Sequence, residues 1–215
     1  MNLIRIFWSA LLGSCFLTSD ACNAADTPAA APNLKARPDL YVCDGCEAIE
    51  ERDSASLSWR AVIAAEQEPG ERLVLRGVVY RADGPTPAPN VVIYAYHTNA
   101  EGAYANGSKE TAWSRRHGRL RAWVKTGADG RYEFQTIKPA PYPSHNDPAH
   151  IHMTVLEPGR KPYYIDDVVF AGEYRVDREY RRSRENRGGS GIVELSRDSA
   201  GRWIAERNIR LEPHP

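Results

Sequence analysis

Two histidines and a tyrosine in the middle of the chain have the types and the spacing of metal ligands. The segment KPAPYPSHNDPAHIH places Tyr142 between two prolines and puts His150 and His152 on either side of one isoleucine. Residues two apart in an extended strand project to the same face, so the two imidazoles would lie side by side. The prolines stiffen the loop, because each fixes its own φ and restricts the preceding residue. The alternative is a pair of partly exposed strand histidines and a turn tyrosine without a ligand role.

The composition favours one globular domain and gives no sign of a polyanionic partner. The chain has 215 residues, and its 28 basic side chains balance 28 acidic ones. Zero formal net charge offers no electrostatic argument for binding nucleic acid. The length allows one domain with a buried core, and 16 glycines and 15 prolines indicate the many turns of an all-β protein.

The N-terminus has the pattern of an export signal. Arg5 precedes a compact apolar run over residues 6–17, which is too short to span a bilayer. Small residues follow, and we expect cleavage after Ala24, so that residues 1–24 form a signal peptide. Lipoprotein processing at Cys15 is the alternative, because LGSC loosely resembles a lipobox. The sequence therefore predicts an exported protein, periplasmic or secreted, with no transmembrane span in the mature chain.

The remainder of the chain divides into a tether, a lead-in segment and one β domain. Residues 25–40, rich in Ala and Pro, are predicted to be a disordered tether. Residues 41–70 are predicted to form a short helical or irregular lead-in that packs on the domain of residues 71–215. Cys43 and Cys46 within this lead-in form CDGC, which cannot supply four zinc ligands, and an oxidising compartment favours a local disulfide between them.

Strand patterns separated by turn sequences fill the β domain. β-Branched and aromatic residues are dense in residues 72–80, 91–97, 121–126, 131–137, 150–156 and 164–170, and a final hairpin is expected over residues 191–211. Short strands at close spacing predict an all-β fold, a β-sandwich or open barrel of mostly antiparallel strands. The charged residues 173–191 are interpreted as a solvated excursion, with a basic docking site as the alternative.

Three motifs occur in one collinear order over nearly half of the chain. They read LRGVVYRADGPTPAPNVVIYAYHTNAEGAY, then TGADGRYEFQTIKPAPYP, then PAHIH. Together they resemble the intradiol ring-cleavage dioxygenases, the catechol and protocatechuate type. An isolated Gly-x-Tyr or His-x-His is a weak signal, whereas the run from Asp129 through Pro143 followed by PAHIH is specific.

The resemblance implies a mononuclear non-haem Fe(III) centre. The two tyrosines and two histidines that hold iron in this family fall on Tyr104, Tyr142, His150 and His152. The donor chemistry agrees, because Fe(III) is a hard acceptor and a phenolate is a hard anionic donor, whereas zinc rarely recruits tyrosine. A free tyrosine has a pKa of about 10, so it ionises at neutral pH only beside a strong positive charge.

The implied reaction is cleavage of a catechol-type aromatic diol by O2 to a muconate-type diacid. The diol would chelate the ferric ion through both oxygens, and the tyrosine at the position of Tyr142 would leave the metal and serve as a base. The implied partners are a small aromatic diol and O2. The identity of the diol and a homo-oligomer are left open, and the N-terminal segment and residues 173–191 could cap the site or form a subunit contact.

Two other functions fit parts of the same pattern. The fragments RGVVYRADGPTPAPNVVIYAY and GADGRYEFQTI also resemble transthyretin-like or carboxypeptidase-regulatory β-sandwich modules. Those modules are binding or structural domains that contain no metal. Such a module explains the strands and turns but not Tyr142 followed by PAHIH. An exported iron-binding relative without turnover is the other hypothesis.

One position departs from the family pattern. Ring-cleaving members usually carry an arginine three residues before the first histidine, where this chain has Asp147. An arginine would stabilise electron density on the bound catecholate, whereas a carboxylate would repel the substrate anion. We expect Asp147 to turn to solvent and Arg119 and Arg121 to substitute in part as catalytic residues beside Tyr142. A basic surface run is the alternative.

Overall fold

The computed structural model describes residues 35–108, 110–143 and 147–215. The predicted signal peptide, the lipoprotein alternative at Cys15 and most of the predicted tether lie outside these described residues. Within the described ranges, every helix is too short or too polar to cross a bilayer.

β-Strands dominate the described chain, and each predicted strand is present near its expected bounds. The strands are β1 Arg60–Val62, β2 Arg72–Tyr80, β3 Val92–His97, β4 Arg121–Lys125, β5 Arg131–Ile137, β6 His150–Leu156, β7 Tyr163–Phe170, β8 Ile192–Val193, β9 Leu195–Arg197, β10 Trp203–Glu206 and β11 Ile209–Arg210. The helices are a 3₁₀ helix Cys46–Glu51, α1 Ser114–His117 and α2 Arg178–Ser183. The predicted all-β class is confirmed.

The strands form two sheets that pack as a β-sandwich. The first sheet has the order β1-β5-β2-β10-β9, with β11 also paired to β2, and the second has the order β4-β3-β6-β7-β8. The longer pairings are antiparallel, as predicted, whereas β1 with β5, β10 and β11 with β2, and β7 with β8 are short parallel pairings. The chain leaves the second sheet after β8, so β9 and β10 form the predicted closing hairpin.

A hydrophobic core lies between the sheets. It takes Leu75 from β2 and Phe134 from β5 on one side, and Ile93 from β3 and Ile151 from β6 on the other, all of them fully buried. Successive side chains of a strand point to opposite faces, so the residues between these core positions in the second sheet point outward. The histidines of β6 are on this outer face.

The lead-in segment covers part of the outer face of the second sheet. The 3₁₀ helix buries Ala48 and Ile49 against Tyr94 of β3. Cys43 and Cys46 form the predicted disulfide in the turn that begins this helix. The segment therefore packs on the second sheet through this short 3₁₀ helix.

The end of the predicted tether is packed rather than disordered. The Arg37 Nε donates to Glu212 at 2.8 Å, and Leu40 is fully buried in the sandwich core. The prediction of a tether over residues 25–40 is therefore wrong for its last residues. Leu40 and the ion pair between Arg37 and the buried Glu212 anchor the chain there. The Ala- and Pro-rich composition of the segment does not show this ion pair.

The charged segment of residues 173–191 is also not simply solvated. Arg187 has no exposed surface, and its guanidinium carbon lies 3.9 Å from the centroid of the Tyr164 ring. Its Nη2 donates to the carbonyl of Leu40 at 3.0 Å. The interpretation as a solvated excursion is wrong for this residue, because a ring face and a backbone carbonyl compensate part of the cost of burying its charge.

Candidate metal centre

The two histidines of β6 project side by side from the outer face of the second sheet. His150 and His152 have their Nε2 atoms 3.0 Å apart. The pairing of β6 with β7 has a bulge between Ile151 and Met153, which is the kind of irregularity that re-aims a strand side chain. Tyr96, directly opposite His152 on β3, stacks on its imidazole with ring centroids 4.5 Å apart. Strand alternation and this stacking therefore fix the direction of both rings.

The two tyrosines come from loops that are tied to each other. Tyr104 follows β3, and Tyr142 lies between β5 and β6. The Ala140 amide donates to the Asn99 carbonyl at 3.2 Å, which joins the two loops. Gly102 has φ +78°, and a Cβ at this position would lie 2.1 Å from the Pro141 carbonyl oxygen. Glycine is therefore required for the loop carrying Tyr104 to approach the loop carrying Tyr142.

Four oxygen and nitrogen atoms converge where these elements meet. The Tyr142 Oη is 3.1 Å from His150 Nε2 and 3.4 Å from His152 Nε2, and it is hydrogen-bonded to the Tyr104 Oη. The Tyr104 Oη is 3.0 Å from His152 Nε2. Ligands at about 2.0–2.1 Å from one metal ion are separated from each other by roughly 3.0–3.4 Å. The distances that involve the histidine nitrogens fit this spacing, whereas the two phenol oxygens, joined by a hydrogen bond, lie closer together.

The Nε2 atoms of both histidines carry lone pairs that can bind a metal ion. His150 Nδ1 is 2.7 Å from the Pro148 carbonyl, which can only accept, so this nitrogen carries the proton. His152 Nδ1 is 2.9 Å from the Asp167 carboxylate, which fixes its tautomer in the same way. Each Nε2 then presents a lone pair toward the other at 3.0 Å, a repulsive arrangement that a cation between them would relieve. The donor set therefore fits a bound metal.

Tyr104, Tyr142 and His150 are neutral when no cation compensates them. Burial raises the pKa of Tyr104 and of Tyr142, and their mutual hydrogen bond raises that of Tyr104 further. Burial also lowers the pKa of His150. A phenolate ligand at this position consequently requires a strongly positive partner, and ion binding must release protons.

Asp167 belongs to this centre, although it was not among the predicted ligands. Its carboxylate lies close enough to both imidazoles to be considered a third ligand beside His150 and His152. However, it accepts from the Nδ1–H of His152, on the side of the ring away from the tyrosines, and we assign it an orienting role. Burial alone would raise the pKa of Asp167, yet its pKa is lowered because its electrostatic interaction with His152 and the hydrogen bond from that ring favour the carboxylate. An acidic residue inside the apolar run YYIDDVVF was the available sequence signal.

The guanidinium groups of Arg119 and Arg121 are not brought into the cluster. Arg119 is held by both carboxylate oxygens of Glu68, with Nη2 to Oε1 at 2.9 Å. Arg121 pairs with Glu51 at 2.7 Å and lies over the Trp123 ring. The expectation that these arginines substitute for the family arginine fails on position, because carboxylates of the N-terminal segment take their charges.

A cavity of about 230 Å³ opens beside three of the four candidate ligands. Its wall includes Tyr142 and both histidines on one side, and Asp147, Tyr180 and Arg184. Asp147 is exposed yet faces this cavity, so the expectation that it turns away to solvent is only half correct. Tyr180 and Arg184 belong to the charged segment of residues 173–191, and no local sequence pattern marked them.

The family of the chain follows from its sequence match. The dioxygenase family (Dioxygenase_C, described as "Dioxygenase") matches residues 50–188, which is well over half of the chain. This match includes every candidate ligand. The chain belongs to the intradiol ring-cleavage dioxygenase family.

Curated members of the family match part of this chain. Catechol 1,2-dioxygenase 2 of Acinetobacter lwoffii is 33% identical over 132 residues, covering 48% of this chain and 46% of that protein. The protocatechuate 3,4-dioxygenase beta chain of Burkholderia cepacia is 35% identical over 110 residues, again covering 48% and 46%. The chain thus spans about half the length of the curated relatives it matches.

Solved structures share the fold of this chain. The dioxygenase domain of a dioxygenase and carbohydrate-binding fusion from Streptomyces sp. SirexAA-E superposes with a TM-score of 0.54 at 22% identity, covering 70% of this chain and 86% of that one. Catechol 1,2-dioxygenase from Acinetobacter sp. ADP1 superposes with a TM-score of 0.56 at 24% identity, covering 72% and 57%. At these identities the likeness establishes the common β-sandwich.

Proposed function

We propose that this protein binds one ferric ion through Tyr104, Tyr142, His150 and His152 and uses O2 to cleave an aromatic diol between its two hydroxyl-bearing carbons. The observation that carries the proposal is the convergence of four donor atoms, with both histidine Nδ1 atoms already engaged as donors. The curated relatives named as catechol and protocatechuate dioxygenases support the class of reaction. A metal-free binding module would not need two imidazole lone pairs that face each other.

Ferric iron bound to these residues would supply a Lewis-acid centre at which a diol loses its protons and becomes reactive toward O2. The protein contributes the orientation of the substrate and a place for the released proton. Tyr142 lines the cavity together with the histidines, whereas Tyr104 is not part of its wall and contacts Tyr96. A hydroxyl of the substrate can therefore reach the Tyr142 Oη, which is the group suited to accept its proton as a general base.

The remaining groups of the site keep the ligands in place. Tyr96 and Asp167 restrain His152 from its ring face and from its Nδ1, while the Pro148 carbonyl restrains His150. Ligands held from both sides need little reorganisation when the substrate enters. We expect Tyr104, His150 and His152 to keep their positions when the diol binds. The Tyr142 hydroxyl would instead exchange its contact with the ion for one with the substrate hydroxyl.

Export of the mature protein is part of the proposal. The sequence pattern of residues 1–24 and the Cys43–Cys46 disulfide support an oxidising compartment. Intact mass and thiol titration of protein recovered from the periplasm or medium test this, with Ala25 or a modified Cys15 as the expected first residue. Two free thiols in unreduced, unfolded mature protein would contradict the bridge.

The decisive experiment combines metal analysis, an optical spectrum and product analysis. Aerobically purified protein should contain about one iron per chain and be coloured by tyrosinate-to-iron charge transfer, and catechol should shift this spectrum anaerobically. Admission of O2 should then yield a ring-opened diacid. Protein that stays colourless after iron loading would contradict the metal centre, and coloured protein that binds diols without product would be an iron-binding relative without turnover.

A further inference from the structure

Stacked aromatic rings continue from the candidate metal centre along the outer face of the second sheet. Tyr96 stacks on the imidazole of His152, and Tyr94, two residues earlier on β3, stacks on Tyr96 with ring centroids 5.4 Å apart. Trp123 of β4 is paired with Tyr94 across the sheet and stacks on it at 4.9 Å. These separations are typical of stacked aromatic pairs. Ring contacts therefore join the candidate ligand His152 to Tyr94, for which the proposed diol cleavage has no role.

The hydroxyl of Tyr94 contacts an imidazole that can take its proton. Tyr94 has no exposed surface, and its Oη is 2.9 Å from Nδ1 of His117, which is also buried. Burial lowers the pKa of His117 to about 4 and raises the pKa of Tyr94 to about 12. At neutral pH a protonated phenol therefore faces a neutral imidazole. The imidazole nitrogen is the better acceptor of the two, so the Tyr94 hydroxyl donates to it.

A buried phenol paired with a base can lose one electron more readily than an isolated one. Loss of the electron alone would leave a cationic radical at Tyr94 in a site closed to solvent, and an unpaired buried charge is costly. When the proton moves to His117 as the electron leaves, the ring becomes a neutral radical and the charge resides on the imidazolium. The ring of Tyr96, stacked on His117 at 3.9 Å, stabilises that cation through its π face.

The rings on either side of Tyr94 lack such an acceptor. The hydroxyl of Tyr96 makes no hydrogen bond to another residue in the part of the chain that the structure describes. The Nε1 of Trp123 is buried and also has no hydrogen-bond partner among the described residues. Oxidation of either ring would leave a proton without a base to receive it, so a missing electron is best accommodated at Tyr94.

We infer that Tyr94 is a redox-active residue that passes one electron through Tyr96 to the metal centre while His117 accepts its proton. The oxidant is hydrogen peroxide that reaches the centre when no diol is bound. The inference goes beyond diol cleavage and rests on the proposed function for the identity of the metal. Oxidising equivalents are thereby removed from the residues that bind the ion.

The electrons and protons of this step balance with one external reductant. Reduction of hydrogen peroxide to two waters takes two electrons and two protons. Tyr94 supplies the electrons one at a time; in each step its O–H bond breaks and an N–H bond forms at His117 Nδ1. An enediol such as ascorbate reduces the radical after each step and supplies both protons of the waters, while His117 returns its proton to Tyr94.

Electron paramagnetic resonance of peroxide-treated protein tests the assignment. Ferric wild-type protein mixed with hydrogen peroxide and frozen should show a tyrosyl radical, whose signal narrows when the tyrosines are ring-deuterated. Tyr94→Phe should lower the radical yield by at least about 10-fold, and His117→Gln, which cannot take the proton, should slow radical formation by about 100-fold. Tyr96→Phe keeps the ring contacts and should keep the signal.

Tyr41→Phe is the matched control, because Tyr41 also contacts an imidazole but stacks outside the row of rings that begins at the metal centre. Its Oη is 2.6 Å from His214 Nδ1, and its ring stacks on His214. Tyr41→Phe should leave the peroxide-generated signal unchanged. Absence of a radical in the wild type, survival of the signal in Tyr94→Phe, or an equal loss in Tyr41→Phe would overturn the assignment.

A metal-free experiment separates this inference from the proposed function. Metal-free protein carrying Tyr41→Phe is oxidised with photogenerated tris(bipyridine)ruthenium(III), and the tyrosyl radical should form and then be lost when Tyr94→Phe is added. Equal radical yields with and without Tyr94→Phe would contradict the redox role of this residue independently of iron. A radical at Tyr94 in ferric protein that cleaves no diol would instead contradict the proposed function and leave the role of Tyr94 intact.

Discussion

The two faces of strand β6 carry opposite kinds of residue. Ile151, Met153 and Val155 point inward and are part of the sandwich core, whereas His150 and His152 point outward to the candidate metal centre. Strand periodicity separates the two tasks within six consecutive positions, since alternate side chains face opposite sides of the sheet. We therefore expect that the face that packs in the core and the face that carries the candidate ligands can be changed independently.

The same contrast applies to histidines on neighbouring strands. His97 of β3 is opposite Ile151 in the sheet, and its imidazole is buried, with Nε2 2.6 Å from the hydroxyl of Thr136 in the other sheet. Both of its ring nitrogens have hydrogen-bond partners within the protein, because Nδ1 is 2.7 Å from the Thr98 carbonyl. Facing direction, rather than residue type, thus distinguishes a structural histidine from a candidate ligand.

Loss of an outward histidine should have the largest effect. In His150→Ala or His152→Ala, one of the four converging donors is removed, and bound iron and the charge-transfer colour should fall nearly to zero. The metal-free variants should unfold at the same temperature as metal-free wild type, because neither side chain contributes to the core. Full iron content with unchanged colour would contradict the ligand assignment.

Tyr142→Phe should leave the metal partly bound and remove most of the turnover. The hydroxyl of Tyr142 lines the cavity, so its loss removes the proposed proton acceptor while three ligands remain. We expect kcat to fall by about 100- to 10,000-fold, the range for loss of a general base. Iron analysis beside steady-state kinetics checks this, with Tyr104→Phe as the comparison variant; turnover close to wild type would rule out Tyr142 as the base.

Ile151 lies between the two histidines in sequence, and Ile151→Ala should give the opposite result, with lower stability and retained iron binding. This side chain is fully buried, and truncation should lower the free energy of unfolding by about 2–5 kcal/mol through lost transfer energy and a cavity. The folded fraction should still bind iron and show the same colour. Denaturant unfolding together with metal analysis measures both quantities, and loss of iron from protein that remains folded would show that the two faces are not independent.

Asp167→Asn should weaken the centre without abolishing it. The amide keeps the size of the carboxylate but loses the charge that orients His152 through its Nδ1. Metal affinity should fall by about 10- to 100-fold, as for other partners of metal-bound histidines. Competition with a chelator gives the affinity, and Asp177→Asn, at the exposed N-cap of α2, serves as a charge-matched control. Equal affinities for Asp167→Asn and wild type would remove the orienting role.

His97, the histidine that points into the core, should make a smaller contribution to stability, and this contribution should depend on pH. Burial lowers the pKa of His97 to about 4, below the value of about 6.5 in the unfolded chain. The unfolded state then binds more protons between these pH values, so stability is retained above pH 6.5 and falls as the pH decreases toward 4, by at most about 1.4 kcal/mol per pH unit. Unfolding of wild type and His97→Gln from pH 7 to pH 5 tests this; parallel curves would show that His97 does not contribute.

The sequence by itself determined the strands and the four candidate ligands. Period-two patterns bounded by Gly and Pro turns depend on local geometry, so the bounds of β2, β5 and β6 could be predicted from the chain alone. His150 and His152 share a face because of their spacing, and Tyr104 and Tyr142 were found through the collinear motifs of the family. Residues 144–146, between Tyr142 and His150 in sequence, are outside the described ranges.

Only the tertiary structure decided which charged groups reach the cavity. Arg119 and Arg121 are near the ligand loops in sequence, but Glu68 and Glu51 bind them elsewhere. Arg184, far along the chain in a segment that looked solvated, lines the cavity instead. A long charged side chain is placed by partners from other elements rather than by strand periodicity, because its polar end can be satisfied in several places. Local patterns therefore predict the donors on a strand, whereas the charged groups that line the cavity depend on how distant segments pack.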